Sequence, residues 1–311
     1  MRSEKTFRTL DEQIEILKQK GLIINDIDKA KRILLRENYF FLSGYRHLFM
    51  INSSGNQFIK GVNFDELHAM FLFDRSVRNI LFKWILVIEN NFKSILSYEL
   101  SKKYGFRDKD YLNPKNFTQD SMKQRQVRDI LNKVHRQMRV NGRQHTATTH
   151  YIDNYGYIPL WILVKVLSFG IMSEFYNILK NEDQMEIAKI YGLEPDTLST
   201  YLAIIANYRN ICAHEEILYD HKTQKCIPDS KYHVALDIPK IDGEYKYGKN
   251  DLFTLIIILK NMLSETEVID LVNEISYEVD KLSGRLKSIS IEKVLNACGF
   301  PINWVEIGKM D

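Results

Sequence analysis

The sequence predicts an all-α protein, a helical bundle with at most a minor β element. Three observations carry this. The 311 residues include only 6 prolines and 14 glycines, so long uninterrupted helices form easily and a sandwich of many short strands is disfavoured. Apolar residues recur at three- and four-residue steps over most of the chain. Hydrophobic residues make up 45% and charged residues 27%, the balance of a globular chain long enough to bury a sizeable core.

The elements follow in order. Residues 9–20 open with Thr9 and carry Glu12 three positions later, a capping-box pattern, and stop at Gly21. Residues 26–37 form a second helix with Ile27, Ala30, Ile33 and Leu34 on one side. The aromatic run Asn38–Tyr45 reads as a helix start that packs its rings into a core, and residues 50–63, with Asn52-Ser53-Ser54-Gly55-Asn56, as a loop or small hairpin. Over 64–104, the positions Leu67, Phe71, Val77, Leu81, Ile85, Ile88, Phe92, Ile95 and Leu96 predict one long helix or two nearly collinear ones, ending at Tyr104-Gly105.

Residues 106–120 read as irregular, 121–140 as an amphipathic helix with Val127, Ile130, Leu131, Val134 and Met138 inward, and 141–150 as a mobile polar loop. Pro159 starts a helix running to Gly170. Further helices are expected over 173–180 and 183–191, and from Pro195-Asp196 to about Leu218. Residues 220–250 read as loop-rich, with a hairpin around Tyr232–Ile238 and Asp242-Gly243. Residues 251–280 and 290–297 are helical again, with Leu252, Leu255, Leu259 and Met262 forming an apolar stripe of core type. The expected organisation is an N-terminal helical region (1–57), a helical domain (58–220) with a basic insertion (106–150), and a loop plus helical extension (221–311).

Several function classes are disfavoured. Cys212, Cys226 and Cys298 show no CxxC or CxxH spacing, which argues against a zinc site, and their odd number argues against a disulfide framework. His145 and His150 lie five apart without paired carboxylates, a weak basis for a metal-dependent nuclease. No glycine-rich phosphate loop occurs. The charged N-terminus lacks the apolar core of a secretory signal. The run Leu255–Leu259 is far short of the ~20 residues that span a bilayer. A cytoplasmic protein with no cofactor and no membrane contact is expected.

Charge is uneven. Net charge is +3, yet residues 121–143 hold Lys123, Arg125, Arg128, Lys133, Arg136, Arg139 and Arg143 against Asp129 alone. This segment reads either as a solvated face or as a surface for a polyanion.

The most informative stretch is Arg209-Asn210-Ile211-Cys212-Ala213-His214. At ~100° per residue, Arg209, Asn210 and His214 fall on a face shared with Ala203, Ala206, Asn207 and Ala213, opposite Tyr201, Ile204, Ile205, Tyr208 and Cys212. One side of the helix is bulky and apolar; the other is small and polar. Asn210 and His214, four apart, are within reach of each other, so the amide can orient the imidazole. An unperturbed imidazole titrates near pH ~6.5 and exchanges protons at neutral pH. A guanidinium stays charged and grips phosphate oxygens with two donors. Together they suit cleavage of RNA without a metal. Against this, an Arg and a His five apart on a helix are common, and Glu215 and Glu216 fit a plain charged surface.

The run Asn207–His214 resembles the Arg-Asn-x-x-x-His motif of HEPN ribonucleases, specifically abortive-infection proteins of the AbiD/AbiF type. Further blocks resemble that family in order: Thr9–Gly21, Asn38–Tyr45, Phe73-Asp74-Arg75 followed by Ile88-Glu89, Tyr98–Tyr104 and Pro159–Gly170. The resemblance covers roughly residues 7–220. It implies a HEPN helical bundle and a metal-independent endoribonuclease acting as a toxin in phage defence. It gives Arg209 and His214 the catalytic places, with Asn210 in support. Glu89 matches an acidic position that either orients Arg209 or forms a structural ion pair. Only one Arg-x4-His is present, since Arg78-Asn79 is followed by Lys83 at the histidine position. The resemblance therefore implies a homodimer with a composite site. It also implies a small structured RNA that restrains the protein, with the basic segment 121–143 as its docking helix. A catalytically silent RNA-binding module and an interaction scaffold are the competing readings.

Overall fold

The structure, a computed structural model, describes residues 6–52 and 56–310. Helices α1 (Leu10–Gln19), α2 (Ile27–Glu37) and α3 (Tyr39–Gly44) lead to α4 (Phe64–Tyr104), a single helix of 41 residues. There follow α5 (Asp108–Tyr111), α6 (Gln124–Asn141), α7 (Thr146–Tyr155), α8 (Leu160–Val166), α9 (Phe169–Asn177), α10 (Asn181–Ile190) and α11 (Pro195–Ala213). After α12 (Lys231–Ala235) comes a two-stranded antiparallel ribbon, β1 (Lys240–Ile241) and β2 (Glu244–Tyr245). The chain then forms α13 (Leu252–Met262), α14 (Glu265–Ser283) and α15 (Ile291–Cys298). The protein is an all-α bundle with one minimal sheet.

The start signals work as the sequence chemistry requires. Thr9 and Glu12 close a reciprocal capping box on α1, and Asn63 and Glu66 do the same on α4. Gly105 ends α4 at φ +92°, a conformation that side chains resist. Helix α4 is the axis of the molecule: α8, α10, α11, α13 and α14 all pack on it. Its buried row includes Leu67, Val77, Leu81, Ile85, Ile88, Phe92 and Leu96. The C-terminal helices are tied to it by polar contacts as well. Glu66 accepts from the Lys287 and Ser288 backbone amides at 2.6 and 2.7 Å. The ammonium of Lys83 and the indole of Trp84 both reach Glu274. In α13 every residue from Leu252 to Leu259 is buried, so its apolar stripe is core on all sides.

The structure differs from the sequence reading at several places. Residues 146–150, expected as part of a mobile loop over 141–150, are helical and begin α7. The buried Thr148 hydroxyl donates to the Gly142 and His145 carbonyls and closes the turn ahead of α7. The helix after Pro159 breaks at Leu167, because the Ser168 hydroxyl caps a new helix by accepting from the Ile171 amide at 3.4 Å. Residues 231–235 form a helix, not a hairpin strand; the hairpin is confined to β1 and β2. There Asp242 and Gly243 take φ of +51° and +87°, the conformation a two-residue turn demands. A turn of helix, α5, interrupts the irregular 106–120 segment. The 251–280 region is two helices, separated where Ser264 and Glu267 form a capping box. In the aromatic block Tyr45 is buried but Phe40 is 74% exposed, and Ile27 is also exposed. Met50 and Phe58 pair as an antiparallel bridge; of the expected turn, residues 53–55 lie outside the described residues.

Candidate functional site

Helix α11 carries the Arg-Asn-x-x-x-His run. Pro195 sits in its first turn, and Tyr201, Ile204, Ile205, Tyr208 and Cys212 are buried. The polar arc is left open: Asn207, Asn210, Ala213 and His214 are exposed, and Ala203, Ala206 and Arg209 are half-buried. Burial pushes the Cys212 thiol up to about 12, so this cysteine stays protonated and serves as core rather than as a nucleophile.

Arg209 crosses to α4. Its Nε lies 3.6 Å from Glu89 Oε2, and its guanidinium carbon sits 5.6 Å from the centre of the Phe82 ring. Glu89 is 7% exposed and also accepts from Lys93 Nζ at 2.7 Å, one turn along α4. The Arg209 Nε and Glu89 Oε2 atoms are both shielded from solvent and neither makes a hydrogen bond. The pair is held by charge across a gap slightly too long for a bond, the kind of separation that tightens when a ligand binds. The terminal nitrogens of Arg209 have no hydrogen-bond partner among the described residues. The fork is thus anchored at its base and free at its tip.

The helix was expected to reach Leu218; it ends at Ala213, and His214 is the capping residue (φ −98°, ψ 7°). Glu215 turns into the left-handed region at φ +54°, and the Glu216 amide donates back to the Ile211 carbonyl at 3.1 Å, a six-to-one closure of the Schellman kind. The cause lies on α4. Asp74 accepts from the Leu218 amide at 3.2 Å, and Arg78 donates to the Glu216 carbonyl at 2.9 Å. Arg78 and Asp74 are themselves joined at 2.6 Å, and the Tyr45 hydroxyl donates to Asp74 at 2.7 Å. All three side chains are buried. Burial pushes the Asp74 carboxyl up to about 6, opposed by Arg78 and by the hydrogen bonds it accepts. Gly44 leaves the room that Ile217 needs, since a Cβ there would lie 2.2 Å from Ile217 Cδ1. The chain is therefore pulled out of helical geometry immediately after His214, and α11 runs antiparallel to α4 with both ends of the motif fastened to it.

Among the site residues expected from sequence, Arg209, Asn210 and His214 lie on one open face, and Glu89 reaches Arg209. Asn210 and His214 meet only through their backbones, the His214 amide donating to the Asn210 carbonyl at 2.9 Å; no hydrogen bond joins the two side chains. Lys123, Arg125, Arg128, Lys133, Arg136, Arg139 and Arg143 are all exposed. They are not gathered at the motif: α6 packs on α8 and α9, so α9 stands between it and α11. Lys133 pairs with Glu174 at 2.6 Å and Arg125 touches Asp129 at 3.9 Å. Arg128, Arg136, Arg139 and Arg143 have no carboxylate within 4 Å among the described residues.

Sequence reasoning missed three contributors. Lys93 and Arg78 had a local signal, each lying four residues after an acid. The third, His221, had none: its ring lies 2.7 Å from Asn207 Oδ1 and edge-on to Tyr208, across fourteen residues of chain. Burial lowers its basicity. Among the described residues no three His, Cys, Asp or Glu side chains converge as metal ligands would. None of the helices described is long and apolar enough to cross a membrane.

Comparison with known proteins places the chain in a family. No curated protein and no solved structure matches the chain. Residues 32–220, which include Glu89, the basic helix and the whole of α11, match the family model described as Abi-like protein. That span is more than half of the 311 residues, and the chain belongs to the Abi-like protein family.

Proposed function

We propose that this protein is a metal-independent endoribonuclease of the HEPN type, acting as a toxin in abortive infection and built as a homodimer with a composite site. The family ties the chain to abortive infection and phage defence. The observation that carries the chemistry is the open face of α11: an arginine anchored at Nε by buried Glu89, with a free fork, and an exposed histidine one turn on.

In this reading, a scissile phosphate lies against the Arg209 fork. One His214 takes the proton from the ribose 2′-hydroxyl, whose oxygen attacks phosphorus. The P–O5′ bond breaks, and His214 of the second copy returns a proton to the leaving 5′-oxygen. The products are a 2′,3′-cyclic phosphate and a 5′-hydroxyl. Arg209 stabilises charge on the phosphorane, and its attachment to α4 fixes it before substrate arrives. Two copies are needed in this reading because one chain carries a single Arg-x4-His run. The small side chains Ala203, Ala206 and Ala213 allow two α11 helices to approach closely. The unpaired arginines of α6 are assigned to a small structured RNA that restrains the protein.

The test is incubation of total RNA in EDTA with nucleic-acid-stripped wild type, Arg209→Ala and His214→Ala. Cleavage by wild type, lowered at least ~100-fold in each variant and with cyclic-phosphate ends, supports the reading. Because His214 is exposed, His214→Ala should melt within about a degree of wild type. RNA bound with a steep salt dependence and never cut by stripped protein would sink the enzyme and leave an RNA-binding module, which the unpaired arginines of α6 favour as second choice.

A further inference from the structure

On α4, Glu89 and Lys93 begin a row that continues at four-residue steps to Ser97 and Ser101, about 12–18 Å further along the helix. At that end a groove of about 480 Å³ opens between α4 and Trp161 of α8. Three serines, three aromatics and Lys102 line it. No aliphatic side chain does.

The aromatics are unusually open for their size. Tyr98 is 65% exposed, and Phe106 and Trp161 are each 42% exposed. They continue as a ledge toward α7: the ring centres of Trp161 and Phe106 lie 6.2 Å apart, Phe106 and Tyr157 5.6 Å, and Tyr157 and Tyr155 6.3 Å. The Arg107 guanidinium carbon lies 5.4 Å from the Tyr157 ring centre and 5.9 Å from that of Phe106, with no carboxylate within 4 Å among the described residues. Lys102 lies 3.8 Å from Glu99 and 6.0 Å from the Tyr98 ring centre. The Ser101 hydroxyl at the groove wall is shielded and has no hydrogen-bond partner among the described residues.

We propose that this groove and its ledge form a stacking site for unpaired bases of single-stranded RNA; the proposal rests on the reading of α11 as an RNA-cleaving face. An apolar partner helix would offer Lys102, Arg107 and the Ser101 hydroxyl no polar partner. Exposed ring faces and two cations at the rim are the chemistry that holds splayed bases and their phosphates. Strands entering from α6 and α7 would meet the aromatics before reaching Arg209.

The test uses two fluorescent hexamers that cannot be cut: fully 2′-O-methylated uridylate and the same backbone without bases. Trp84 and Trp304 are buried, so Trp161 is the accessible indole. The base-bearing hexamer should quench its emission, and the abasic one should not. Tyr98→Ala and Trp161→Ala should each weaken the base-bearing hexamer by roughly 5- to 100-fold and leave the abasic one unchanged. Equal binding of the two hexamers to wild type, or wild-type affinity in Tyr98→Ala, would overturn the proposal. So would a Trp161 emission change that depends on protein concentration without RNA, which assigns the groove to a contact between copies. Failure here is separable from failure of the enzyme: His214-dependent cleavage with an indifferent Tyr98→Ala removes only the groove. Base-dependent binding without cleavage removes only the nuclease.

Discussion

Arg209 Nε stands 3.6 Å from Glu89 Oε2, and neither atom has a hydrogen-bond partner among the described residues. The arginine therefore owes its direction to one carboxylate, which Lys93 holds at 2.7 Å from the other side. Removing the carboxylate strands a buried lysine. Glu89→Ala should cost about 3 kcal/mol of stability, read from the urea midpoint at unchanged slope. Glu89→Gln keeps an acceptor for Lys93 and should cost less, while RNA cleavage drops about tenfold in kcat with KM little changed. A Gln variant with wild-type kcat would reduce Glu89 to a structural ion pair.

The buried set Asp74, Arg78 and Tyr45 offers a separation of stability from activity. Arg78→Met leaves the buried Asp74 carboxyl without its cation, so it is either held charged and unpaired or forced to take up a proton, and should lose about 3–5 kcal/mol. Adding Asp74→Leu removes the stranded charge and should recover a large part of that loss. The double variant still lacks the two bonds that draw residues 216–218 away from α11. It should remain poorly active although folded. Full activity in the folded double variant would show that the turn after His214 needs no tether.

Helix α6 makes an electrostatic prediction. Arg128, Arg136 and Arg139 are exposed and unpaired among the described residues, so Arg→Gln at all three should leave the melting temperature within about a degree. RNA affinity should fall, and the slope of log K against log salt should flatten by roughly 2 if all three meet phosphates of a single strand. An unchanged slope would return α6 to a solvated surface.

Asp251 gives a pH signature. It is 5% exposed and accepts from the Gly248 and Thr254 amides, yet burial dominates and raises its carboxyl to about 6 from 3.8. The folded state therefore holds this proton more tightly than the unfolded chain. The stabilisation is fully present below pH ~4 and is lost as pH rises toward 6 and beyond. Measured against Asp251→Asn, which does not titrate, wild type should lose roughly 2.4 kcal/mol of stability between pH 4 and 7. A pH-independent difference would contradict the raised value.

The sequence displayed the helices with strong periodicity and the bulky face of α11, because burial on one side of a helix leaves a mark every three or four residues. It also displayed Arg209, Asn210 and His214 as neighbours on one arc. It did not display where α11 stops. Nothing between Ala213 and Leu218 breaks a helix by composition; the break is made by Asp74 and Arg78, some 140 residues earlier. In α7, three threonines and a histidine looked like a loop, yet Thr148 is fully buried and its hydroxyl is satisfied by the turn. Lys93 was within reach of sequence reasoning, as the fourth residue after Glu89. His221 was not, since only the folded chain brings it to Asn207.

A helix of 41 residues is about 60 Å long, and α4 works as a ruler with two marks. At Asp74–Arg78 it sets the chain leaving His214; eleven to fifteen residues later, at Glu89, it sets Arg209. The spacing between guanidinium and imidazole is thus written twice, once in the five-residue step of α11 and once in the distance between marks on α4. One alanine inserted between positions 79 and 88 would turn the marks about 100° apart without touching either residue of the motif. The two scales would then disagree, and α11 would keep register with only one of them.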